Sequence, residues 1–170
     1  TGRLEPGFQG LRYAREFFPL YKARRLNLET KIRLSSFLHG PESRASWSMD
    51  SLSPFEKLRV LDPQVSDGIV EKGLAAIGRE FPALAGLRVT QAWGGVIDCM
   101  PDDIPVISAV PQLPGLILSC GYSGHGFGIG PGAGRLTADL VTGDAPIVDP
   151  TAFRYSRFRD GTTLKKPGMM

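Results

Sequence analysis

The feature that most constrains this chain is a glycine-rich run between residues 121 and 134. Seven of its residues are glycine, at positions 121, 124, 126, 128, 130, 132 and 134. Glycine loses more backbone entropy on folding than any other residue, so this density needs a structural reason. The usual reason is a backbone that must come close to a flat or anionic group. An apolar run, Leu116 to Leu118, precedes the glycines, and a helical pattern from Gly132 to Val141 follows them. The unpaired N–H groups of such a helix face whatever the loop holds, which predicts a cofactor or nucleotide site.

Composition limits the class of protein. The chain has 170 residues, 42% hydrophobic and 22% charged, with a net charge of +3, which is typical of one globular domain or slightly more. Its basic clusters are not interleaved with aromatic residues, so nucleic-acid binding is not predicted. No apolar run approaches the ~20 residues that span a bilayer, and nothing at the start resembles a signal peptide. We therefore expect a cytoplasmic protein with no membrane span.

Two cysteines and the first residues add two expectations. Cys99 and Cys120 both lie in apolar surroundings, which favours buried free thiols over a disulfide. The chain begins Thr1-Gly2 without an initiator methionine, so we expect a processed, trimmed or partial chain.

The hydrophobic pattern predicts a mixture of helices and strands. Helices are predicted at 7–21, at 68–80 with Asp67 as its cap, and at 132–141 closed by Gly143. Strands are predicted as a hairpin over 26–49, whose first strand (27–37) alternates apolar and polar residues, and at 87–93, 105–110 and 116–120. Alternation and short connections favour antiparallel pairing over βαβ crossovers. The predicted fold class is α/β of the α+β type, with a mostly antiparallel sheet from 26–49 and 87–93 and flanking helices.

One interpretation of the glycines is a dinucleotide-binding turn. Residues 128–133 fit G-x-G-x-x-A, and Asp149 stands about where that fingerprint places its ribose-binding acid. That fingerprint should begin where its strand ends, but several residues separate Cys120 from Gly128. A Rossmann-type nucleotide-binding module therefore stays an alternative.

A hydrolase is a second interpretation, because residues 121–125 nearly spell G-x-S-x-G around Ser123. The last position is His125 rather than glycine, and the other histidine, His39, is far away in the sequence. A triad needs a base and an orienting acid, which this pattern does not supply. The two histidines and two cysteines have no metal-ligand spacing. We predict no catalytic side chain and no metal ligand.

Several motifs in one order resemble a known family. They are Trp93–Asp98, Pro101–Ile107, Pro114–Leu116, Gly121–Phe127 and Phe153–Phe158. This series resembles the C-terminal part of the FAD-dependent amine oxidoreductases of the D-amino-acid oxidase superfamily, which includes glycine oxidase, sarcosine oxidase and the D-amino-acid dehydrogenases. The similarity is strong from about 81 to 159 and weaker from 8 to 63.

The resemblance implies a flavin site. In that family the loop matching 121–128 packs its backbone against the isoalloxazine ring, and the following helix aims its N-terminus at the ring edge that becomes anionic on reduction. The cofactor-binding residues carried over are Gly94, Gly95, Gly121, Ser123, Gly124, His125, Gly126, Phe127 and Gly128. Ile97 and Tyr122 are expected on the substrate side. His125 is expected to hydrogen-bond or pack rather than to act as an acid or base, and the Pro101-Asp102 turn is expected to be structural.

The resemblance also implies a substrate class. Its members pass a hydride from the C–N bond of an amino acid or secondary amine to FAD. Several relatives carry a basic residue that grips the substrate carboxylate. The matching places here are Gly128 and Ile97 with Asp98, so these positions supply no carboxylate clamp.

The domain organisation follows from the same resemblance. Residues 1–93 are expected to be part of a substrate domain, 94–160 the C-terminal part of the FAD-binding domain, and 161–170 a polar tail. The family begins with a strand, G-x-G-x-x-G and a helix that hold the FAD pyrophosphate, and the sequence lacks this nucleotide-binding Rossmann half. The expected partners are a small amine or amino-acid substrate and the missing N-terminal FAD domain, with self-association as a further option. The fragment alone is expected to be inactive and to hold FAD weakly. A non-enzymatic interaction fragment is the other alternative.

Overall fold

The computed structural model describes residues 2–32, 34, 37, 47–57, 59–60, 62–165 and 167. The chain divides into two compact units. The first comprises Thr1–Tyr13 and Arg25–Val96, and the second Ala14–Arg24 and Ile97–Met170. The assignment of 1–93 to a substrate domain and of 94–160 to an FAD-binding domain stays a prediction.

The first unit contains a short parallel sheet. Strand β1 (Gly2–Leu4) pairs with β2 (Leu28–Thr30) in parallel, with Arg3 opposite Glu29. This parallel partner was not predicted, because alternation indicates which face a residue occupies but not which strand it pairs with. The rest of the predicted hairpin falls largely on residues 33, 35–36 and 38–46, outside the described residues.

Helices of the first unit are α1 (Phe8–Arg12), α3 (Pro54–Lys57) and α4 (Asp67–Glu80). The helix predicted at 68–80 is confirmed. Its predicted cap is wrong, since Asp67 is the first helical residue and Ser66 precedes it. The Ser66 hydroxyl donates to Glu29 Oε2 at 3.4 Å instead of capping the helix. Asp67 instead places a negative charge in the first turn, where the helix dipole favours it.

The helix predicted at 7–21 is in fact two helices. Helix α1 ends at Arg12, and α2 (Ala14–Arg24) follows after Tyr13, whose backbone has φ −106° and ψ 16°. Helix α2 belongs to the second unit, where Leu20 is buried and the Arg24 guanidinium lies 2.9 Å from Asp103 Oδ1. Spacing alone could not predict this break, because the apolar residues keep a helical period across it.

The strand predicted at 87–93 is wrong. These residues form no strand in the described part of the first unit, and the apolar side chains of Leu87, Val89 and Trp93 are exposed. Strand propensity needs a neighbouring strand to be realised, and none of the strands in the described ranges pairs with this segment.

The second unit is built on a hairpin and a long helix. Strand β3 (Val106–Ala109) pairs antiparallel with β4 (Ile117–Cys120), which confirms both predicted strands and their direction. Helix α5 (Gly126–Thr142) packs on this hairpin. The buried core consists of Ile107, Ala133 and Leu136, with Tyr122, Leu140 and Phe153 packed against it. Gly143 closes α5 in the left-handed region, as predicted, and its N–H donates to the Asp139 carbonyl.

The architecture is therefore a mixed one of helices and small sheets. The predicted class, helices with sheets of the α+β type, is right at this level. The mostly antiparallel sheet from 26–49 and 87–93 is not found, because the strands within the described ranges form one parallel and one antiparallel pair. None of the described helices is both long enough and apolar enough to cross a bilayer.

Candidate functional site

The glycine-rich loop is held by the segment Asp98–Met100. The Gly121 N–H donates to Asp98 Oδ2 at 2.8 Å, and the Ser123 N–H donates to the Asp98 carbonyl at 2.9 Å. The Met100 N–H donates in return to Ser123 Oγ at 2.9 Å. Three hydrogen bonds thus join Asp98 and Met100 to the two ends of the stretch 121–123. We call this arrangement the loop clasp.

Two residues of the clasp have left-handed backbone. Gly121 has φ 73°, and a Cβ there would lie 2.3 Å from Met100 Cε. Ser123 has φ 53°, unusual for a residue with a side chain, and is 2% exposed. Its hydroxyl donates to the Gly121 carbonyl at 3.3 Å while accepting from Met100. These local bonds offset the strain and explain why serine is accommodated there.

The clasp leads directly into the N-terminus of α5. The N–H groups of Gly128 and Ile129 both donate to the His125 carbonyl, at 3.0 and 3.1 Å. The N–H groups of Gly126 and Phe127 have no acceptor among the described residues. His125 is the N-cap residue and is exposed, and its side chain makes no capping bond. Two unpaired donors and the positive end of a 17-residue helix dipole therefore meet at this point.

The first turns of α5 also present bare backbone. A Cβ at Gly128, Gly130, Gly132 or Gly134 would meet no atom within 4 Å. Packing against the residues that the structure describes thus does not explain these glycines, in contrast to Gly121. The Phe127 side chain is fully exposed next to them. This surface can accept a flat group against the backbone.

Tyr122 is tied to the core of the second unit. Its hydroxyl lies 2.6 Å from Ser119 Oγ, which lies 2.9 Å from Thr137 Oγ1. Thr137 donates to the Ala133 carbonyl at 2.8 Å. This bond uses the single hydroxyl proton of Thr137. Ser119 therefore donates to Thr137, and Tyr122 donates to Ser119. The phenol that was predicted on the substrate side is engaged in this chain of hydroxyls, whereas Ile97 is 60% exposed.

The alternatives from the sequence lose their structural basis. The Ser123 hydroxyl is buried and bonded to backbone on both sides, so it is not an exposed nucleophile. The G-x-G-x-x-A residues, 128–133, lie inside α5 rather than in a strand-to-helix turn. Asp149 caps a 3₁₀ turn by accepting from the Thr151 N–H at 2.9 Å. The hydrolase elbow and the dinucleotide turn are both wrong for these residues.

The turn at Pro101-Asp102 is structural, as predicted. Asp102 Oδ1 accepts from the Ile104 N–H at 3.2 Å. What the sequence did not predict is that the Arg157 guanidinium donates to both carboxylate oxygens, at 2.9 and 3.2 Å, with both side chains buried. Arg157 also donates to the Ile104 carbonyl at 2.6 Å. Nothing in the spacing of residues 55 positions apart could signal this pair.

Both cysteines are free, as predicted, and half-buried. Burial is the main cause that raises the pKa of each thiol above its ordinary value, and the carboxylate of Asp98 adds to it. Both therefore stay protonated and poorly nucleophilic at neutral pH. Among the described residues no group of three or more metal-ligating side chains comes together.

Gly94 and Gly95 belong to the first unit. A Cβ on Gly94 would lie 2.6 Å from the Pro63 carbonyl oxygen, so packing inside that unit already requires glycine there. A Cβ on Gly95 would meet nothing within 4 Å. Their contact with a cofactor stays a prediction.

Comparison with known proteins identifies the family. The model of the FAD dependent oxidoreductase family, abbreviated DAO, matches residues 41–140, more than half of the chain. The chain belongs to the FAD-dependent oxidoreductase family. The cofactor of that family is FAD, and the loop clasp and most of α5 lie within the matched residues.

Curated relatives and solved structures agree with this assignment. The chain is 32% identical over 100 residues to sarcosine oxidase subunit beta of Arthrobacter sp, covering 59% of the chain and 24% of the relative. It is 39% identical over 73 residues to glycine oxidase of Pseudomonas putida, covering 43% and 20%. The fold is similar to L-amino acid deaminase from Proteus myxofaciens in complex with anthranilate, with TM-score 0.82 and 29% identity over 92% of this chain and 35% of that one. The chain thus spans about a fifth to a third of the length of these proteins.

Proposed function

We propose that the protein containing this chain oxidises the C–N bond of an amino acid or secondary amine with FAD. In this proposal the glycine-rich loop and the start of α5 form one wall of the flavin site. The loop contributes backbone from Gly124 and His125, which the buried Gly121 and Ser123 hold in place, and the helix contributes Gly126, Phe127 and Gly128.

The observation that carries the proposal is the pair of unpaired N–H groups on Gly126 and Phe127. They stand at the positive end of α5, beside glycines whose missing side chains leave open space. A helix N-terminus stabilises negative charge without any charged side chain. An electron-rich flavin edge fits such a site, since it is flat and gains negative charge when the flavin is reduced.

In this proposal FAD supplies the redox chemistry, and the protein positions the reacting groups. When bound, FAD would accept the hydride, which carries both electrons, as a C–N single bond becomes an imine and the N–H proton leaves to solvent. The described residues contribute orientation and electrostatics. We assign no acid or base among them, because Ser123 and Tyr122 are committed to internal hydrogen bonds.

The substrate class rests on the relatives and on the side chains near the loop. The relatives named above act on sarcosine, glycine and L-amino acids. Ile97 offers exposed apolar surface, and Asp98 offers a carboxylate already bonded to Gly121. Neither these positions nor Gly128 can pair with a substrate carboxylate. An amine, or an amino acid held by charge supplied elsewhere, suits this wall.

The test is to fill the open space beside the loop in the protein made from its complete reading frame. Gly128→Val adds a side chain where nothing lies within 4 Å, so the chain itself has room for it. Gly126→Val places a Cβ at an ordinary 3.5 Å from Tyr122 Cβ. We expect both variants to fold and to lose flavin absorbance or substrate-dependent bleaching of the flavin.

The matched control is Gly73→Val. Gly73 is also helical and its Cβ would also meet nothing within 4 Å, but it lies in α4 of the first unit. This control should keep the flavin spectrum of the unaltered protein. Unchanged flavin binding and reduction in Gly128→Val and Gly126→Val would refute the proposed site, and an unaltered protein without flavin would refute the proposed function.

A further inference from the structure

We infer that Asp98 is a positioning residue: through Gly121 it holds the glycine-rich loop in the shape that presents the α5 N-terminus. This inference rests on the proposed function and names a residue that never needs to touch the flavin or the substrate. Asp98 is one of the positions that the family resemblance matches to a basic, carboxylate-binding residue of several relatives. In the structure its carboxylate accepts a hydrogen bond from the backbone of the chain itself, at Gly121.

The geometry places Asp98 at the start of the loop. Its Oδ2 accepts the Gly121 N–H at 2.8 Å, a length typical of a charge-assisted bond. Its carbonyl accepts the Ser123 N–H at 2.9 Å, so one residue fixes both ends of the turn. Two residues later the His125 carbonyl begins the hydrogen bonding of α5.

The loop needs such a fastening because its backbone is unusual. Gly121, Ser123 and Gly124 all have positive φ, between 53° and 88°. Glycines sample many other conformations at little cost, so local sequence alone does not select this one. An external acceptor on the Gly121 N–H does select it. The unpaired N–H groups of Gly126 and Phe127 then keep a fixed direction.

The charge of Asp98 and its hydrogen bond act in opposite directions on a flavin. A nearby negative charge disfavours adding electrons, so removing the charge alone raises the reduction potential. Loss of the loop shape withdraws the α5 N–H groups from the reduced ring, which lowers the potential. The sign of the change therefore separates a positioning role from a purely electrostatic one.

The experiment compares Asp98→Ala with Asp98→Asn in the complete protein. Both variants remove the charge, but the asparagine side chain keeps an oxygen that can accept from Gly121. The measurements are the flavin reduction potential, the rate of flavin reduction by substrate in single turnover, and amide hydrogen exchange of the peptide containing 121–126. Asp62→Ala, at an exposed position of the first unit, is the control for a lost surface acid.

We expect Asp98→Ala to lower the potential, to slow flavin reduction about 10- to 100-fold, as small displacements of a reacting group do, and to speed amide exchange in 121–126. Asp98→Asn should restore slow exchange and fast reduction, with a potential at or above that of the unaltered protein. Equal rises in potential for both variants, or unchanged exchange in Asp98→Ala, would overturn the inference. An unaltered protein without flavin would remove the proposed function, while the exchange data would still decide whether Asp98 holds the loop.

Discussion

At the scale of single residues, Gly121 combines a left-handed backbone with crowding at its missing Cβ. Its φ of 73° and its contact with Met100 act together, since a Cβ would lie 2.3 Å from Cε and 2.5 Å from Cγ of that side chain. We expect Gly121→Ala to lower the free energy of unfolding by about 1–3 kcal/mol, the range for a left-handed residue with a side chain plus crowding. Urea unfolding followed by circular dichroism measures this.

Two variants separate the contributions to that loss. Gly86 has φ 92° but open space around its missing Cβ, so Gly86→Ala reports backbone strain without crowding. Gly121→Ala should cost more than Gly86→Ala, and adding Met100→Ala should recover part of the difference. If the two alanine variants are equally stable, the Met100 contact does not matter.

At the scale of elements, the helices and strands that could be predicted are those that depend on residues close together in the sequence. Helix α4 has an apolar period of its own, and β3 and β4 are joined by a short turn around Gly115, so each could be located from nearby residues. Partners distant in sequence could not be predicted. The pairing of β2 with β1 depends on a strand 26 positions earlier, which alternation does not specify.

Helix α5 shows how packing overrides propensity. The prediction began it at Gly132, because glycines and Pro131 are poor helix formers. It begins six positions earlier, at Gly126. Ala133 and Leu136 are buried against Ile107, and Tyr122 is tied to Thr137 through Ser119, so tertiary contacts hold the middle of the helix, from which the first turns extend.

The sequence predicted part of the candidate site but not the contacts between residues distant in the sequence. The glycine run marked the loop and the helix N-terminus, because glycine density is itself a sequence signal. The fastening by Asp98 was not predictable, since it joins residues 23 positions apart through a side chain that could equally face solvent. The hydroxyl chain of Tyr122 was missed for the same reason.

Asp102 and Arg157 form a buried ion pair between two elements. It joins the turn before β3 to the 3₁₀ segment Tyr155–Phe158, and both side chains are almost completely buried. Arg157→Met should lower the free energy of unfolding by about 3–5 kcal/mol, because it leaves a buried carboxylate unpaired. Thermal unfolding checks this. The double variant Asp102→Asn with Arg157→Met should recover part of the loss, and additive losses would contradict coupling between the two.

At the scale of the whole molecule, stability should depend on acid pH through carboxylates that accept several hydrogen bonds. The pKa of Asp139 lies below its ordinary value, mainly because Arg135 donates to it at 2.7 Å, and the Ile147 N–H adds a further bond. The Arg135 bond lies within α5, and the Ile147 bond joins the end of α5 to the segment that follows it. A folded-state pKa below the unfolded one stabilises the protein above the unfolded pKa, and this contribution disappears as pH falls.

Asp160 allows this dependence of stability on pH to be tested directly. The Thr162 hydroxyl is the main cause that lowers its pKa from 3.8 to about 2, followed by the Thr162 N–H and with a smaller contribution from Arg154. Its stabilisation is complete above its unfolded pKa and is lost between about pH 4 and about pH 2. Asp160→Asn keeps an oxygen for the Thr162 N–H but cannot titrate. Urea midpoints measured from pH 6 to 2 should therefore fall less steeply below about pH 4 in this variant than in the unaltered protein. If stability falls as steeply below about pH 4 in Asp160→Asn as in the unaltered protein, Asp160 contributes none of this pH dependence.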